Sequence, residues 1–409
     1  MLAKSNIALI CILGCMLGLL ISPFILSVFT FLYGVNAIRD VSIKQWPRNK
    51  WWVLGMVWIA CYALTWFWSE NKHHWGGEVQ ILLPVMLLPL AYSYMPSFSA
   101  RQLSIMNAGV SLILLGGISY SLSFLARDPE HYILQYGVSH LLPTPCEQDH
   151  IRFSLAIVLF FIWCVYSWPR MDDKRVKWIV GVSMSIMVIY IHILAAKVGL
   201  VALYLFAICW GIYITVARRR LAGLLIIVAV PVILTLGIKY IPTLKLRQQY
   251  MHYTFLMLMR NDKSGNYGDI NRMYSYMIAS RLIAQHPLTG VGAGDIMDEM
   301  KRGYAQWHPQ VVESSILIPH NQFLVVALGC GIPVMLLFMG WVFMPLFWLK
   351  KNRQSFFFFV VWLILFFELM IEPVLEIQNG VFVYLFFLLL QLQEMRKGET
   401  SAEPVPKRV

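Results

Sequence analysis

The sequence predicts an all-α polytopic membrane protein with about twelve transmembrane helices and one large structured loop outside the membrane. Hydrophobic residues make up 59% of the 409 residues and charged residues only 13%, whereas a soluble protein of this size carries roughly 25% charged residues. About twelve spans of ~20 residues would account for the apolar share. The apolar residues form long unbroken runs without the period of two that barrel strands show. The composition therefore excludes a soluble enzyme, a disordered chain, a secreted disulfide scaffold and an outer-membrane barrel.

Twelve apolar runs are candidate membrane spans when the chain is read in a window matched to bilayer thickness. Ser22-Pro23 separates the first two runs, because proline lacks the amide that would continue a helix. These two runs are short and can also form one bent unit, so the number twelve is approximate. The runs are Ile7–Ile21, Pro23–Ala37, Trp51–Ser69, Val79–Met95, Leu103–Leu125, Ile151–Trp168, Trp178–Leu194, Val198–Val216, Ala222–Tyr240, Asn321–Leu349, Phe356–Ile371 and Gly380–Gln393.

The distribution of charge predicts that both chain ends lie in the cytoplasm. With the N-terminus inside, the inner loops and chain ends contain 20 of the 33 Lys and Arg residues and 6 of the 21 Asp and Glu residues. Cations concentrate on the cytoplasmic side of membrane proteins. We therefore expect segment 241–319 outside the cytoplasm and the tail 394–409 inside. The formal net charge of +12 reflects this bias, and we expect no nucleic-acid partner, although such a charge would indicate one in a soluble domain.

The outer segment 241–319 is the largest extramembrane feature and is too apolar to be a linker. Helical spacing of apolar residues predicts a helix over Asn271–Gln285, ended by His286-Pro287. A glycine-rich turn follows, and a second short helix is predicted over Asp295–Trp307 with Asp295 as its N-cap. A loop with its own structure is where an outward-facing active site would lie.

Charged and polar side chains gather on the predicted outer side of the membrane. The junction Ile318–Leu324 reads IPHNQFL and places His320 at the outer start of the tenth span. Further charged residues of the same side are Lys197, Arg272, Glu372 and Glu376. The simpler alternatives are that His320 is an interfacial residue after the helix-starting Pro319, and that Lys197 is a snorkelling interfacial lysine.

Taken together, these motifs resemble those of the O-antigen ligase and O-antigen polymerase-related superfamily. The resemblance rests on an arginine that opens a helix, a later His-Pro followed by a Gly-Val-Gly turn, and a His-Asn pair that enters a membrane span. These residues are Arg272, His286, Pro287, Gly290, Gly292, His320, Asn321 and Leu324. Segment 372–380, EPVLEIQNG, is also similar to a segment of ligase-like members. The motif region runs from Lys197 to Gly380, and the span count and the large outer loop agree with it.

The resemblance implies the fold of a membrane-embedded, GT-C-like glycosyltransferase of the bacterial inner membrane. Superfamily members transfer glycan chains from undecaprenyl diphosphate to another acceptor on the periplasmic side, with no nucleotide sugar, no cofactor and no required metal. The implied partners are the lipid-linked donor, lipid A–core or another glycan as acceptor, and the lipid bilayer. The implied regions are N-terminal transmembrane helices over 1–196, a catalytic region over 197–393 that contains the periplasmic loop 241–319, and a cytoplasmic tail over 394–409.

The resemblance also implies roles for individual residues. A diphosphate leaving group requires cations because its charge grows as the glycosidic bond breaks, and the catalytic Arg272, with Lys197 and Arg281, is expected to bind it. An acceptor hydroxyl requires a base, and histidine, with a reference pKa of about 6.5, suits that task; this base is expected to be His320. Where this chain has Lys197, family members commonly carry arginine, whose bidentate contact lysine does not reproduce. Supporting positions are Asn321, Glu372, Glu376, Asp149 and His150.

Other interpretations compete with that of a ligase. A polymerase, which joins repeat units while both partners stay on the lipid carrier, differs in its acceptor. A membrane transporter is a more remote alternative, because it would require polar groups in the middle of several spans and repeats between the halves, whereas most spans here have apolar cores. The GVGAG run at 290–294 resembles a phosphate loop but has no preceding strand and no GK[ST] ending. A simple backbone turn is therefore the stronger interpretation of that run.

Overall fold

The computed structural model describes residues 3–95, 98–138, 140–146, 148–260 and 268–400. Within these ranges the regular structure is helical, with seventeen α-helices joined by loops and short 3₁₀ turns and no strand. The helices are α1 (Lys4–Ile21), α2 (Pro23–Ile38), α3 (Lys50–Leu64), α4 (Lys72–Tyr94), α5 (Ala100–Arg127), α6 (Pro129–Gln135), α7 (His150–Ser167), α8 (Lys174–Leu194), α9 (Lys197–Ala217), α10 (Ala222–Tyr240), α11 (Pro242–Met259), α12 (Gly268–Gln285), α13 (Ile296–Trp307), α14 (Gln322–Cys330), α15 (Ile332–Phe343), α16 (Arg353–Ile371) and α17 (Gln378–Thr400).

The chain forms two compact units, each made from two stretches of sequence. Unit 1 contains the described residues of Met1–Tyr33 and Pro96–Asp269, and unit 2 contains those of Gly34–Met95 and Ile270–Val409. The division at residue 197 predicted from the sequence was drawn on motifs rather than on compactness, and it stays a prediction.

In the part of the chain that the structure describes, eight helices are long and apolar enough to cross a membrane, judged by length and composition: α1, α4, α5, α7, α8, α9, α10 and α16. They coincide with eight of the predicted runs. The other predicted runs are also helical, as the shorter α2 and α3, the pair α14 and α15, and α17. For the described residues, an all-helical fold with several helices able to span a membrane is therefore confirmed, and the number of spans stays a prediction.

The predicted tenth span, Asn321–Leu349, is not one continuous helix. It divides into α14 and α15 at Gly331, whose φ is +86°. A β-carbon at Gly331 would lie 2.3 Å from the carbonyl oxygen of Leu288, so the break lets another backbone segment approach closely. Hydropathy alone does not show this break, because both sides of it are apolar.

Unit 1 packs around α7, most of whose residues are buried. Its core holds a satisfied polar group, since Asn107 of α5 donates to the Ser167 hydroxyl and accepts from the Trp163 indole, both at 2.9 Å. Helix α9 approaches α7 closely, because a β-carbon at Gly199 would lie 2.7 Å from the β-carbon of Ser154. The N-terminal halves of α7 and α9 therefore lie side by side.

Unit 2 contains an aromatic cluster that joins α3 to α15. The rings of Trp51 and Trp341 stack at 5.2 Å, and those of Trp58 and Phe338 meet edge to face at 5.2 Å. All four side chains are buried, and the Trp51 indole donates to the Trp341 carbonyl at 2.8 Å. Buried aromatic pairs of this kind contribute packing beyond the area they cover, so α15 is held firmly against α3.

The predicted outer segment 241–319 is mostly helical where it is described. Helix α12 contains the helix predicted over Asn271–Gln285, and α13 begins one residue after the predicted start. Helix α11 was not predicted as a separate element, and residues 261–267 lie outside the described residues. Helix α17 continues to Thr400, so the first part of the predicted tail 394–409 is helical, and residues 401–409 lie outside the described residues.

Candidate active site

The stretch 286–295, called the glycine turn below, docks its backbone on the end of α14 in unit 2. The amides of Val291 and Gly292 donate to the last carbonyls of α14, at 2.8 and 3.0 Å. Gly290 has φ +66°, and a β-carbon there would lie 2.5 Å from the amide nitrogen of Cys330. Both the left-handed backbone and the close approach require glycine. These amides are bonded to carbonyls, which supports the interpretation as a backbone turn rather than a phosphate loop.

The glycine turn also spans the break between α14 and α15. The amide of Ile332 donates to the Pro287 carbonyl at 2.8 Å. His286 follows the last residue of α12 and is exposed. The His-Pro pair thus ends one helix and supplies a carbonyl to the start of another.

Asp295 does not cap α13 as predicted. It stands directly before that helix, but its side chain makes no capping bond there. Its two carboxylate oxygens instead accept the amides of Glu70 and Asn71, both at 2.7 Å, at the start of α4. Glu70 and Asn71 directly precede α4, so Asp295 anchors the glycine turn to the start of that helix.

Asn321 starts α14 and fixes the residue before it. Its side-chain oxygen accepts the amides of Phe323 (2.9 Å) and Leu324 (3.1 Å), which is the contact of an N-cap. Its amide nitrogen donates to the Met370 carbonyl at 3.1 Å. The junction between His320 and the helix is therefore held to the end of α16.

One carboxylate of unit 2 joins the two residues predicted to be catalytic. Glu372 follows α16, and its Oε1 accepts Arg272 Nη2 at 2.6 Å while its Oε2 lies 3.1 Å from His320 Nδ1. Arg272 comes from α12, and His320 precedes α14. We call Arg272, His320 and Glu372 the His320 network.

The exposure of the three side chains shows which groups can meet a substrate. The Glu372 side chain is 4% exposed, His320 is 17% exposed and Arg272 is 33% exposed. A buried carboxylate requires compensating partners, which the other two residues supply. When His320 Nδ1–H donates to Glu372, the lone pair of the neutral ring is on Nε2. Arg272 retains further N–H groups that can face an anion.

Tyr276 supports His320 from the same helix that carries Arg272. Its hydroxyl donates to the His320 carbonyl at 2.6 Å. Burial raises the pKa of Tyr276, Arg272 lowers it and Glu372 raises it, so the phenol remains a donor at neutral pH. Tyr276 and Arg272 are four residues apart, which places them on one face of α12. That spacing was a signal for Tyr276 in the sequence, but its role was not predicted.

A second side-chain bridge lies next to the His320 network. Gln322 Nε2 donates to Glu376 Oε1 at 2.8 Å, and Gln322 Oε1 accepts the Leu375 amide at 2.7 Å. Gln322 is 1% exposed. Glu376 was predicted as a supporting residue, whereas Gln322 was overlooked because glutamine carries no charge that marks it in an apolar segment.

Lys197, predicted to bind the diphosphate, lies in unit 1 as the half-buried first residue of α9. The turn that precedes it contains Ala195 in the left-handed conformation, with φ 50°. Carbonyls at the end of α8 accept the hydroxyls of Tyr136 (3.1 Å) and Thr243 (2.6 Å). The turn that carries Lys197 is thus held by side-chain bonds to the backbone.

Asp149 and His150 also belong to unit 1, at the start of α7. The Asp149 carboxylate accepts the amides of Ile151 (3.1 Å) and Arg152 (3.0 Å) and lies 3.5 Å from the Arg152 guanidinium. His150 is half-buried as the first helical residue. The contacts of Asp149 are those of a helix cap with an ion pair.

Arg281 is not brought into the His320 network. It follows Arg272 by nine residues, which places it on the opposite face of α12 and about 13.5 Å further along the axis. Its guanidinium lies over the ring of Trp307, 5.1 Å from the ring centre. In the described part of the chain, no group of three or more His, Cys, Asp or Glu side chains is placed to hold a metal ion.

Comparison with known families finds a match, which covers part of the chain that carries this site. The family model described as O-Antigen ligase matches residues 182–339, which include Lys197, Arg272 and His320. No curated protein matches the chain. Members of the matched family are O-antigen ligase- or polymerase-type glycosyltransferases. The match covers less than half of the chain: residues 182–339 are similar to the O-antigen ligase family, in a chain whose apolar helices indicate a membrane protein.

Proposed function

We propose that the protein transfers an O-antigen-type polysaccharide from undecaprenyl diphosphate to lipid A–core at the periplasmic face of the bacterial inner membrane. The observation that carries this proposal is the buried Glu372 carboxylate, which contacts His320 at 3.1 Å and Arg272 at 2.6 Å. A base and a cation held by one group suit the attack of a sugar hydroxyl on a glycosyl diphosphate. The family match over 182–339 supports this class of donor.

His320 is the general base of the proposed reaction. Its Nε2 takes the proton of the acceptor hydroxyl while the hydroxyl oxygen forms a bond to the anomeric carbon of the donor. The bond between that carbon and the phosphate oxygen breaks, and the diphosphate leaves with the electron pair. Glu372 then stabilises the imidazolium through its contact with Nδ1. A positioned base of this kind contributes about 10²–10⁴-fold in rate.

Arg272 stabilises the leaving diphosphate in this proposal. Its guanidinium is held through one nitrogen by Glu372 and is one-third exposed, so other N–H groups can donate to phosphate oxygens. For Lys197, the half-buried first residue of α9, we propose a contact with a phosphate of the donor. Lysine offers a point charge rather than the planar fork of arginine.

The proposed reaction requires no metal. The charge that grows on the diphosphate is balanced by the cationic side chains named above, and the acceptor proton goes to an imidazole. The transfer activity is therefore expected to persist when a chelator is present. It is measured as transfer of the glycan from a lipid-linked donor with and without EDTA. Loss of activity in EDTA that added Mg²⁺ restores would contradict this part of the proposal.

The proposed site faces the periplasm because the predicted inner loops are rich in cations. Glu313 lies in segment 241–319, and its side chain is 81% exposed. In cells with a permeabilised outer membrane, Glu313→Cys should react with a membrane-impermeant maleimide, and Arg219→Cys, in a predicted inner loop, should not. Labelling of Glu313→Cys only after the inner membrane is broken would contradict this orientation.

Deletion of the gene, followed by a lipopolysaccharide gel, tests the proposed reaction. We expect unsubstituted core and accumulation of lipid-linked polymer, with the polymer ladder restored by the wild-type gene and by His252→Ala but not by His320→Ala. His252 is the matched control because it is an exposed histidine of the outer segment 241–319 and lies outside the glycine turn and the His320 network. Core that carries a single repeat unit would indicate a polymerase instead, and an unchanged ladder would contradict both activities.

A further inference from the structure

Three successive side chains at the start of α14 contact the end of α16 and the loop that follows it in unit 2. His320 Nδ1 lies 3.1 Å from Glu372 Oε2, and the Asn321 side-chain amide donates to the Met370 carbonyl at 3.1 Å. Gln322 makes the third contact, further along that loop. The proposed chemistry gives a role to the first of these contacts and none to the third.

Gln322 uses both ends of its side-chain amide. Its Nε2 donates to Glu376 Oε1 at 2.8 Å, and its Oε1 accepts the backbone amide of Leu375 at 2.7 Å. Gln322 is 1% exposed, and Leu375 is also buried. A buried backbone N–H requires an acceptor, and for Leu375 that acceptor is Gln322. One side chain therefore fixes two consecutive residues of the loop.

The part of the loop that Gln322 contacts is a single 3₁₀ turn, Val374–Glu376. The amide of Glu376 donates to the Pro373 carbonyl at 3.3 Å, and the amide of Val374 donates to the Glu372 carbonyl at 3.0 Å. Because hydrogen bonds in 3₁₀ turns have poorer geometry than those in α-helices, the turn is held less firmly by its own backbone than a helix would be. A shift of the turn also moves Glu372, which is bonded to its first residue.

We propose that Gln322 is a positioning residue for the transfer reaction, which holds the 3₁₀ turn against α14 and thereby keeps the Glu372 carboxylate on His320 Nδ1. This inference rests on the proposed function. Without the two Gln322 bonds, the turn moves away from α14 and takes Glu372 with it. The imidazole then loses the contact that holds the proton on Nδ1 and leaves the lone pair on Nε2 for the acceptor hydroxyl.

The substitution Gln322→Met separates this role from a packing role. Methionine has nearly the size of glutamine but makes neither bond, so a residue that only fills space should tolerate the change. We expect kcat to fall about 10²-fold, as it does when a catalytic group is misplaced by about 1 Å. KM should stay nearly the same, because the buried Gln322 touches no substrate. Gln306→Met, on an exposed glutamine of α13, is the matched control and should keep the wild-type kcat. A kcat of Gln322→Met within a few-fold of the wild type would overturn the proposal.

A double variant tests whether the bonds themselves restore the rate. In Gln322→Glu combined with Glu376→Gln, donor and acceptor are exchanged. The new amide at position 376 can donate to the carboxylate at position 322, whose other oxygen can accept the Leu375 amide. Its kcat should recover most of the loss found in Gln322→Met. A double variant that protects the Leu375 amide from hydrogen exchange but does not recover kcat would overturn the proposal.

Measurements without substrate distinguish failure of this inference from failure of the proposed function. In the purified wild-type protein, the Leu375 amide should exchange slowly, and nitrogen NMR spectra should show the His320 ring with its proton on Nδ1. Gln322→Met should accelerate the exchange and mix the two tautomers, whereas Gln306→Met should do neither. If the wild type transfers nothing, the proposed function fails, and these measurements still decide whether Gln322 holds the turn.

Two results of these measurements would overturn the inference. The first is rapid exchange of the Leu375 amide in the wild type, which requires no variant to fold. The second is an unchanged exchange rate and ring signal in Gln322→Met, because the turn would then be held without Gln322.

Discussion

The glycine turn and the His320 network stand out equally in the sequence but have different roles in unit 2. In the glycine turn, backbone amides bond to backbone carbonyls, and the glycines are required by φ +66° and a 2.5 Å approach at Gly290. In the His320 network, polar side chains bond to each other at 2.6 and 3.1 Å, and the side chains of Arg272 and His320 remain partly exposed. A sequence motif that resembles those of the superfamily can therefore mark either residues that stabilise the fold or residues that take part in the reaction.

This difference gives each region its own experimental signature. A substitution in the glycine turn should reduce the amount of folded protein while the molecules that fold keep their rate. A substitution in the His320 network should reduce the rate while the amount of protein stays the same. The substitutions described next test whether the glycine turn affects only stability and the His320 network affects only the rate.

Among the three substitutions that compare the two regions, the largest effect is expected for Arg272→Ala. Loss of a charge-assisted contact to the diphosphate should cost about 2–4 kcal/mol of transition-state stabilisation, measured as kcat/KM with a lipid-linked donor. Arg272→Lys should retain part of the activity because it keeps the charge but not the fork. Arg302→Ala is the matched control, since Arg302 is an arginine of the same outer segment with a 65% exposed side chain.

Arg281 lies on the opposite face of α12. The substitution Arg281→Ala shows whether this second arginine also binds the diphosphate, as predicted from the sequence. Wild-type kcat/KM in Arg272→Ala at matched expression would show that the arginine of the network only supports the fold. The assignment of a catalytic role to the His320 network and a structural role to the glycine turn would then be wrong.

A smaller effect, on stability, is expected for Gly290→Ala. A methyl group at φ +66° and 2.5 Å from backbone should destabilise the protein by about 2–3 kcal/mol, measured as a lower unfolding midpoint in detergent. Gly77→Ala is the control because a β-carbon there meets nothing within 4 Å on helix α4, and alanine is favoured in helices. A stable Gly290→Ala protein with a strongly reduced rate would place the glycine turn with the reactive residues instead.

The smallest effect is expected for Tyr304→Phe, which tests a side-chain bond of purely structural role. The Tyr304 hydroxyl donates to the Asn271 carbonyl at 3.0 Å and ties α13 to α12 beside Arg272. Its loss should cost about 1 kcal/mol and leave the rate nearly unchanged.

The stabilising effect of Tyr304 should also depend on pH. Burial raises the pKa of Tyr304 to about 12, above the unfolded value of about 10. The contribution of the neutral phenol to the stability of the protein is therefore fully present below about pH 10 and is lost as the pH rises towards 12. The difference in unfolding midpoint between wild type and Tyr304→Phe should shrink over that range, and a constant difference would contradict the assignment.

Local features of the fold and site could be predicted from the sequence because they depend on neighbours. Helix α12, its end at His286-Pro287 and the backbone nature of the glycine turn follow from spacing, proline and glycine within a few residues. The identity of His320 and Arg272 as a pair came from their motifs, and their joining by Glu372 was not predicted.

The remaining features depend on contacts between residues far apart in the chain. Tyr276 bonds to a carbonyl 44 residues away, and Gln322 bonds to a carboxylate 54 residues away. No local pattern encodes such pairs, and the break at Gly331 is hidden within a continuous apolar run.

The central claim is that His320 takes the acceptor proton, and single-turnover transfer by His320→Gln tests it most directly. Glutamine can donate and accept hydrogen bonds but cannot take a proton at neutral pH. Purified protein, a lipid-linked donor and a core acceptor, with chelator present, should show a rate about 10²–10⁴-fold below the wild type, with unchanged donor binding and protein yield. A rate within a few-fold of the wild type would contradict the assignment of His320 as the base.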